Sequence, residues 1–336
     1  MKSSPTIKDI AAKLNLHYTT VSRALRDHPD VNEKTRRAVK DLARKMNYQP
    51  NYLARSLKRQ KSNSIGVIVP EIRHHFFSTV ISGIEEVASE AGYVILVAQS
   101  NERVEREILS TNVFISNHVA GLIASISQTT HTSAHFKQFL DRGKNLVFFD
   151  RICEDLETST VVVDDYNGAF MATEFLIQKG YSRIAHLAGS KNLLISKNRF
   201  QGYLDALKKY KIPFNPNYVY WGGLQEENGK QGMTRLLKLD ERPDAIFAVN
   251  DPVAIGAYEV IHQHNLKIPD DVAVVGFSNN PISAVVSPPL TTVHQPAYEI
   301  GRKTCEMLLR QIENPNSANS KEKIVLNTKL IIRDSA

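Results

Sequence analysis

The sequence predicts an α/β protein in two parts. A small three-helix headpiece of the helix-turn-helix kind occupies residues 1–50, and a large two-lobed α/β unit occupies residues 62–336, with a short joining segment at 51–61. Three observations carry this reading. Residues 1–61 hold 15 Lys and Arg against 5 Asp and Glu, a net of +10, whereas the remaining 275 residues net −3. The same basic stretch has apolar residues at helical spacing, which a solvated charged tail lacks. From Ser64 onward, short Val/Ile/Leu runs alternate with longer amphipathic stretches.

In the first part, Ile7, Ile10, Ala11 and Leu14 fall on one helical face. A break at Asn15–His17 follows, then a second helical stretch whose Val21 and Leu25 face inward. Helix, tight turn and short helix of this size match a helix-turn-helix. A third helix is expected to start at Asn32 as its N-cap, with Val39, Leu42, Ala43 and Met46 on its buried stripe. Pro50 closes the region, because the residue before proline disfavours helix. A localised basic block points to a polyanionic partner, since neutralised phosphates release counterions and drive binding.

In the second part, the apolar runs are 64–70, 93–100, 119–125, 145–150, 159–165, 183–189, 244–250 and 272–278. Continuous apolar strands with helices between them predict parallel sheets covered on both faces. About 270 residues of this pattern exceed one open sheet, so two lobes with a cleft between them are expected. Ligands of such sheets bind beyond the carboxyl ends of the strands. Asp150, Asp164, Asn250, Asp251 and Ser278 stand at those ends.

Several classes are disfavoured. No apolar run approaches the roughly 18 residues of a membrane helix, and the N-terminus has no apolar leader core. Cys153 and Cys305 make neither a disulfide framework nor a metal cluster, which fits a reducing cytoplasm. There is no Gly-rich phosphate loop, G-x-S-x-G elbow or metal triad, so neither catalytic residues nor a cofactor is assigned. His74 and His75 are adjacent, a poor spacing for a metal, and read as loop residues.

Along essentially its whole length the chain resembles the LacI/GalR family of bacterial regulators. The headpiece carries T-I-K-D-I-A (6–11), T-V-S-R (20–23), V-N-E-K-T-R (31–36) and Y-Q-P-N-Y-L-A-R-S-L-K (48–58). The larger unit carries I-G-V-I-V-P (65–70), R-F-Q-G-Y (199–203), N-D-P-V-A-I-G-A (250–257), V-A-V-V-G-F (272–277) and P-P-L-T-T-V-H-Q-P (288–296). The order and spacing of these pieces make the resemblance specific. It implies a helix-turn-helix headpiece, a hinge helix, and a two-lobed core like that of periplasmic binding proteins, assembled as a homodimer.

The resemblance also implies residue roles. Tyr18, Thr19 and Arg23 would meet base edges in the major groove, Arg23 by paired bonds to guanine, with Thr20 and Ser22 contacting phosphate or packing. Asn51, Arg55, Leu57 and Lys58 would contact DNA, Leu57 as a wedge between central base pairs that kinks the duplex and Lys58 nearby in the minor groove. Phe76, Phe77, Asp150, Arg199, Asn250, Ser278 and Gln295 would line the effector cleft. Phe77 reads equally well as core and Asp150 as a turn cap, whereas Arg199, at the start of an amphipathic helix, shows no core role and suits a carboxylate, phosphate or sugar hydroxyl.

Two departures stand out. The turn reads Leu14-Asn15-Leu16-His17 where Ala-Gly-Val-Ser is usual; Asn15 can take the left-handed conformation that glycine supplies, and His17 stands where a serine usually starts the helix. Ser278, in G-F-S-N, replaces an Asp common in sugar-responsive members, and Leu224 stands where an aromatic is usual; Trp221 is left unassigned. The expectation is a cytoplasmic, ligand-controlled repressor or activator, not an enzyme or an exported sugar-uptake protein. Its partners would be a palindromic duplex operator and a small effector, a sugar or related metabolite, with no membrane. The chain ends at Ala336, which leaves no tetramerising helix and favours a dimer.

Overall fold

The computed structural model describes residues 5–48, 63–314 and 321–336, and the chain divides into two compact units, Met1–Ser62 and Asn63–Ala336. In the first unit, helices α1 (Ile7–Leu14), α2 (Tyr18–Ala24) and α3 (Glu33–Lys45) enclose a small core of Ile10, Ala11, Val21, Ala24, Val31, Val39 and Ala43. Leu25, Leu42 and Met46 pack against it half-buried.

Each helix start has a local chemical cause. Thr6 and Asp9 form a reciprocal capping box on α1, and Asn32 Oδ1 accepts the Thr35 N–H at 2.8 Å to start α3. Asn15 ends α1 with φ 50°, the left-handed geometry its position requires. His17 caps α2 through its ring: Nδ1 accepts the Thr19 N–H at 3.4 Å and the Thr19 hydroxyl at 2.7 Å. A ring nitrogen thus does the work of the usual serine oxygen, and it fixes the Thr19 side chain as it does so.

The second unit contains two six-stranded sheets. The first runs β11 (Lys323–Leu326), β5 (Ser159–Val163), β4 (Asn145–Phe149), β3 (Gly121–Ala124), β1 (Ser64–Val69), β2 (Val94–Gln99), all parallel. The second runs β12 (Lys329–Ile331), β10 (Thr291–His294), β9 (Ala273–Ser278), β8 (Ala245–Ala248), β6 (Ile184–Leu187), β7 (Val219–Tyr220), parallel except for the β10–β12 pair. The chain passes between the sheets near Asp164, Gln295 and Thr328. The eight expected strands all form. Strands β7, β10, β11 and β12 were not anticipated, because they are two to four residues long and three of them carry polar residues.

The helices of this unit are α4 (His75–Glu90), α5 (Val104–Ser116), α6 (Ala134–Leu140), α7 (Asp165–Gln178), α8 (Leu194–Lys209), α9 (Glu226–Leu236), α10 (Asp251–Gln263) and α11 (Ala297–Glu313). In α4 the buried residues Phe76, Phe77, Val80, Gly83, Ile84 and Val87 follow the 3.6-residue period and face the first sheet. Helices α9 and α10 cross in backbone contact, which two glycines permit. A methyl on Gly229 would lie 2.0 Å from the Val253 oxygen, and one on Gly256 1.9 Å from the Glu226 oxygen. Among the described residues no helix is long and apolar enough to cross a membrane.

Candidate functional site

Two places carry chemistry. On α2, Val21 and Ala24 turn into the headpiece core, which leaves Tyr18, Thr19 and Arg23 exposed on one outer face with Thr20 and Ser22 half-buried beside them. Tyr18 is 45% exposed. Arg23 has only a loose partner, Asp30 at 3.9 Å, an exposed pair of small energetic weight. Its five donors are therefore largely free to meet an acceptor. Asn51, Arg55, Leu57 and Lys58 lie outside the described residues.

The second place is the cleft between the two sheets, at the carboxyl ends of their strands. Phe76, Phe77, Asp150, Arg199, Asn250, Ser278 and Gln295 all line one cavity there. Phe77 also packs edge-on against Phe149 and Phe76, so it serves core and cleft together. Asn250 caps α10 by accepting the Val253 N–H at 2.9 Å and donates to the Leu224 carbonyl, which holds Leu224 against the cavity. Ser278 donates to Gln295 Oε1 at 3.0 Å, and its φ of 121° is a strained one for a residue with a Cβ. Asp150 (φ 57°), Asn101, Glu102 and Asn279 share the left-handed region, so backbone strain gathers where strands end at the cleft. Burial pushes the Asp150 carboxyl above its usual range, against Arg151, Arg199 and the Gln295 amide, which pull it down.

Arg199 departs from the expectation that it lacks a core role. It is 2% exposed, and Nε donates to Asp165 Oδ1 at 2.8 Å while Nη1 donates to the Val249 carbonyl at 2.7 Å. Its guanidinium lies 3.7 Å above the Phe277 ring centroid. One side of Arg199 thus ties α7, α8 and β8 together and the other reaches the cavity. The helical pattern hid this because both partners are distant in sequence.

His74 lies in the loop before α4, as expected, but also lines the cleft, with Nε2 3.2 Å from Gln225 Oε1 on the opposite lobe, whereas His75 departs from the loop reading as the first residue of α4. Arg73 Nη2 donates to the same Gln225 oxygen at 2.9 Å. Arg151, Ile195, Leu224, Gln225, Pro252 and Asn280 complete the lining. Of these Arg151 had a readable signal, its place directly after the strand-end Asp150. Trp221 packs on Phe200 in the second lobe, outside the cavity.

The space within the cleft is about 40 Å³, little more than room for a water. Small-molecule sites usually hold several hundred Å³, so a sugar-sized guest requires the lobes to part. A larger groove of about 330 Å³ lies at the opposite, amino-terminal edge of the second sheet, near Arg183, Arg242 and Asp271. Its Arg183 already donates to the Arg242 carbonyl, so the smaller cleft, with its converging buried polar groups, is the better candidate for a binding site.

The chain matches two family profiles: bacterial regulatory proteins, lacI family, over residues 6–51, and periplasmic binding protein-like domain over residues 173–336. The HTH-type transcriptional repressor CytR of Escherichia coli (strain K12) is 33% identical over 337 residues, spanning 99% of this chain and 97% of CytR. Among solved structures, the transcriptional regulator CelR–cellobiose complex is 28% identical with a TM-score of 0.75, covering 99% of this chain and 100% of that one. The Lac repressor bound to ONPG in its repressed state is 25% identical with a TM-score of 0.86, covering 99% and 100%.

Proposed function

Because the chain belongs to the lacI family of bacterial regulatory proteins and is a DNA-binding transcriptional regulator rather than an enzyme, we propose that it is a cytoplasmic, homodimeric repressor. It reads a palindromic operator through α2, and its operator affinity is set by a sugar or related metabolite in the interlobe cleft. The exposed face of Tyr18, Thr19 and Arg23 on a short, capped second helix carries the DNA reading. The net charge of +10 in residues 1–61 supplies the sequence-independent attraction.

Dimerisation is supported by apolar surface that a lone chain leaves in water. Edge strand β2 exposes Val94, Leu96 and Val97, and the outer face of α5 exposes Ile108, Leu109 (63%) and Val113. In the second lobe Val285 is 77% exposed, near an exposed Ile282. An apolar edge strand beside an apolar helix face is an aggregation hazard unless a partner covers it. A second copy related by two-fold symmetry would cover such patches. The two headpieces would then face two half-sites in inverted orientation.

Arg23→Ala tests the reading helix. Loss of a paired Arg–guanine contact is expected to cost about 1–3 kcal/mol of discrimination at one base position in each half-site. Affinities for operators with every base substituted in turn, measured by fluorescence anisotropy at fixed salt, check it. Equal weakening on all sequences would assign Arg23 to phosphate instead.

A further inference from the structure

We propose that His17 fixes what Thr19 reads in DNA: the imidazole takes the hydrogen of the Thr19 hydroxyl, so the hydroxyl meets the major groove as an acceptor and selects a base amine, that of adenine or cytosine. This rests on α2 being the reading helix, as proposed above.

The polarity follows from one nitrogen. The Thr19 backbone N–H points at His17 Nδ1, 3.4 Å away, and a backbone N–H only donates. Nδ1 therefore carries a lone pair, and the ring hydrogen of the neutral imidazole sits on Nε2. The Thr19 hydroxyl lies 2.7 Å from the same Nδ1. A nitrogen without a hydrogen cannot donate, so the hydroxyl does. Its one hydrogen is committed to His17, and its lone pairs remain for an outside partner.

His17 is itself held in place. Its carbonyl accepts the Thr20 N–H at 2.9 Å and the Val21 N–H at 3.2 Å, which opens α2. Its ring packs 4.5 Å from the Tyr18 ring, tilted by 42°. The Thr19 hydroxyl is thus oriented before DNA arrives, and little ordering is left to be lost on binding.

The acceptor stands on the reading face. Thr19 and Arg23 are both exposed and four residues apart, which makes them neighbours on one side of a helix. Val21 and Ala24 turn the other side into the headpiece core. In the major groove adenine and cytosine present an amine, whereas guanine and thymine present a carbonyl oxygen. A free threonine hydroxyl pairs with either kind and discriminates little. With its hydrogen committed, Thr19 accepts from an amine and meets a carbonyl lone pair to lone pair. His17 acts through Thr19 and is a positioning residue.

The serine usual at this place in the family would not set this polarity. A serine oxygen also caps a helix, but it has a hydrogen and two lone pairs and so pairs with a neighbouring hydroxyl in either sense. Histidine in its place keeps the cap and removes the ambiguity. Base preference is therefore separable from helix stability by a single substitution.

The test uses the full chain and a duplex that the wild type selects from a randomised library. Each position of a half-site is changed to the other three bases. Adenine is also replaced by unsubstituted purine, and cytosine by a pyrimidinone without the amine. Affinities of wild type, His17→Ser, Thr19→Val and the double variant are measured by fluorescence anisotropy at fixed salt. Comparing proteins on the same duplexes separates a lost contact from weakened base pairing. At one position in each half-site, removing the amine is expected to weaken wild type by about three- to tenfold, the worth of one hydrogen bond. That loss should vanish in Thr19→Val and in His17→Ser, and the double variant should behave like Thr19→Val alone. His17→Ser should also accept guanine or thymine there, while melting like wild type because serine caps as well. An amine dependence that survives in Thr19→Val or in His17→Ser would overturn the proposal, as would equal weakening of His17→Ser on every base. If the preference that depends on Arg23 is present but no position depends on an amine, the role of His17 fails alone. If the wild type selects no sequence, reading through α2 fails and this inference with it.

Discussion

Replacing Arg199 by alanine is expected to cost the sensor unit about 3–5 kcal/mol, the usual penalty for removing one partner of a buried ion pair. Asp165 is buried, and even beside Arg199 burial pushes its carboxyl up to about 6. Without the guanidinium it has no countercharge, and the Val249 carbonyl loses its donor. The melting temperature should fall on the order of 10 °C for a unit of this size. An Arg199→Met, Asp165→Leu double variant should regain much of the loss, since apolar replacement of both partners removes the unmatched charge. A single variant that melts like wild type but no longer responds to ligand would show that Arg199 is a ligand contact alone.

The second large effect is a difference in pH dependence at His186. This residue on β6 is fully buried, stacked 4.7 Å from the Phe247 ring, and its Nδ1 donates to the Phe247 carbonyl at 2.9 Å. Burial, with a smaller contribution from Arg199, pulls its pKa down to about 4, against the raising effect of the carbonyl. Below pH 6.5 the unfolded chain takes up a proton that the folded chain refuses. The stability contribution is therefore full above pH 6.5 and is lost as pH falls toward 4.

The loss should reach about 2 kcal/mol at pH 5, from 1.36 kcal/mol per pKa unit. Asp165 and Asp251, both raised to about 6, act in the opposite sense, because their folded forms take up protons first as pH falls from 6. The wild-type curve alone mixes these effects, so the readout is wild type against His186→Phe. Denaturant unfolding at pH 7.5 and pH 5 should show the variant losing about 2 kcal/mol less than wild type on acidification. Parallel curves for the two proteins would contradict a neutral buried histidine.

These two residues mark the boundary of what the sequence makes legible. Elements set by local pattern could be read directly: the period of Ile7, Ile10, Ala11 and Leu14, the Asn32 cap, the left-handed turn at Asn15, and the eight apolar runs. Strand ends at Asp150, Asn250 and Ser278 pointed to the cleft because parallel strands with covered faces leave their carboxyl ends open. Long-range pairing was not readable. Arg199 meets Asp165 and Val249 across 34 and 50 residues, and Arg151 meets Glu102 across 49, with nothing in the local spacing to announce either. His74 was hidden by its neighbour: two adjacent histidines look like loop, and only the approach of Gln225 from the other lobe gives one of them a role. Strand β10, at Thr291–His294, escaped because it is held by polar residues, with Thr292 donating to the buried Asp251 at 2.5 Å.

The protein is proposed to be two-fold and to read DNA through α2. This is tested most directly by selecting bound duplexes from a library with 30 randomised base pairs, using the full chain at about 0.15 M salt, where sequence-independent attraction is screened. Enrichment of one sequence made of two inverted half-sites, lost when either half is scrambled, is expected. Enrichment of a single unrepeated site, or binding with no sequence enriched at all, would contradict it.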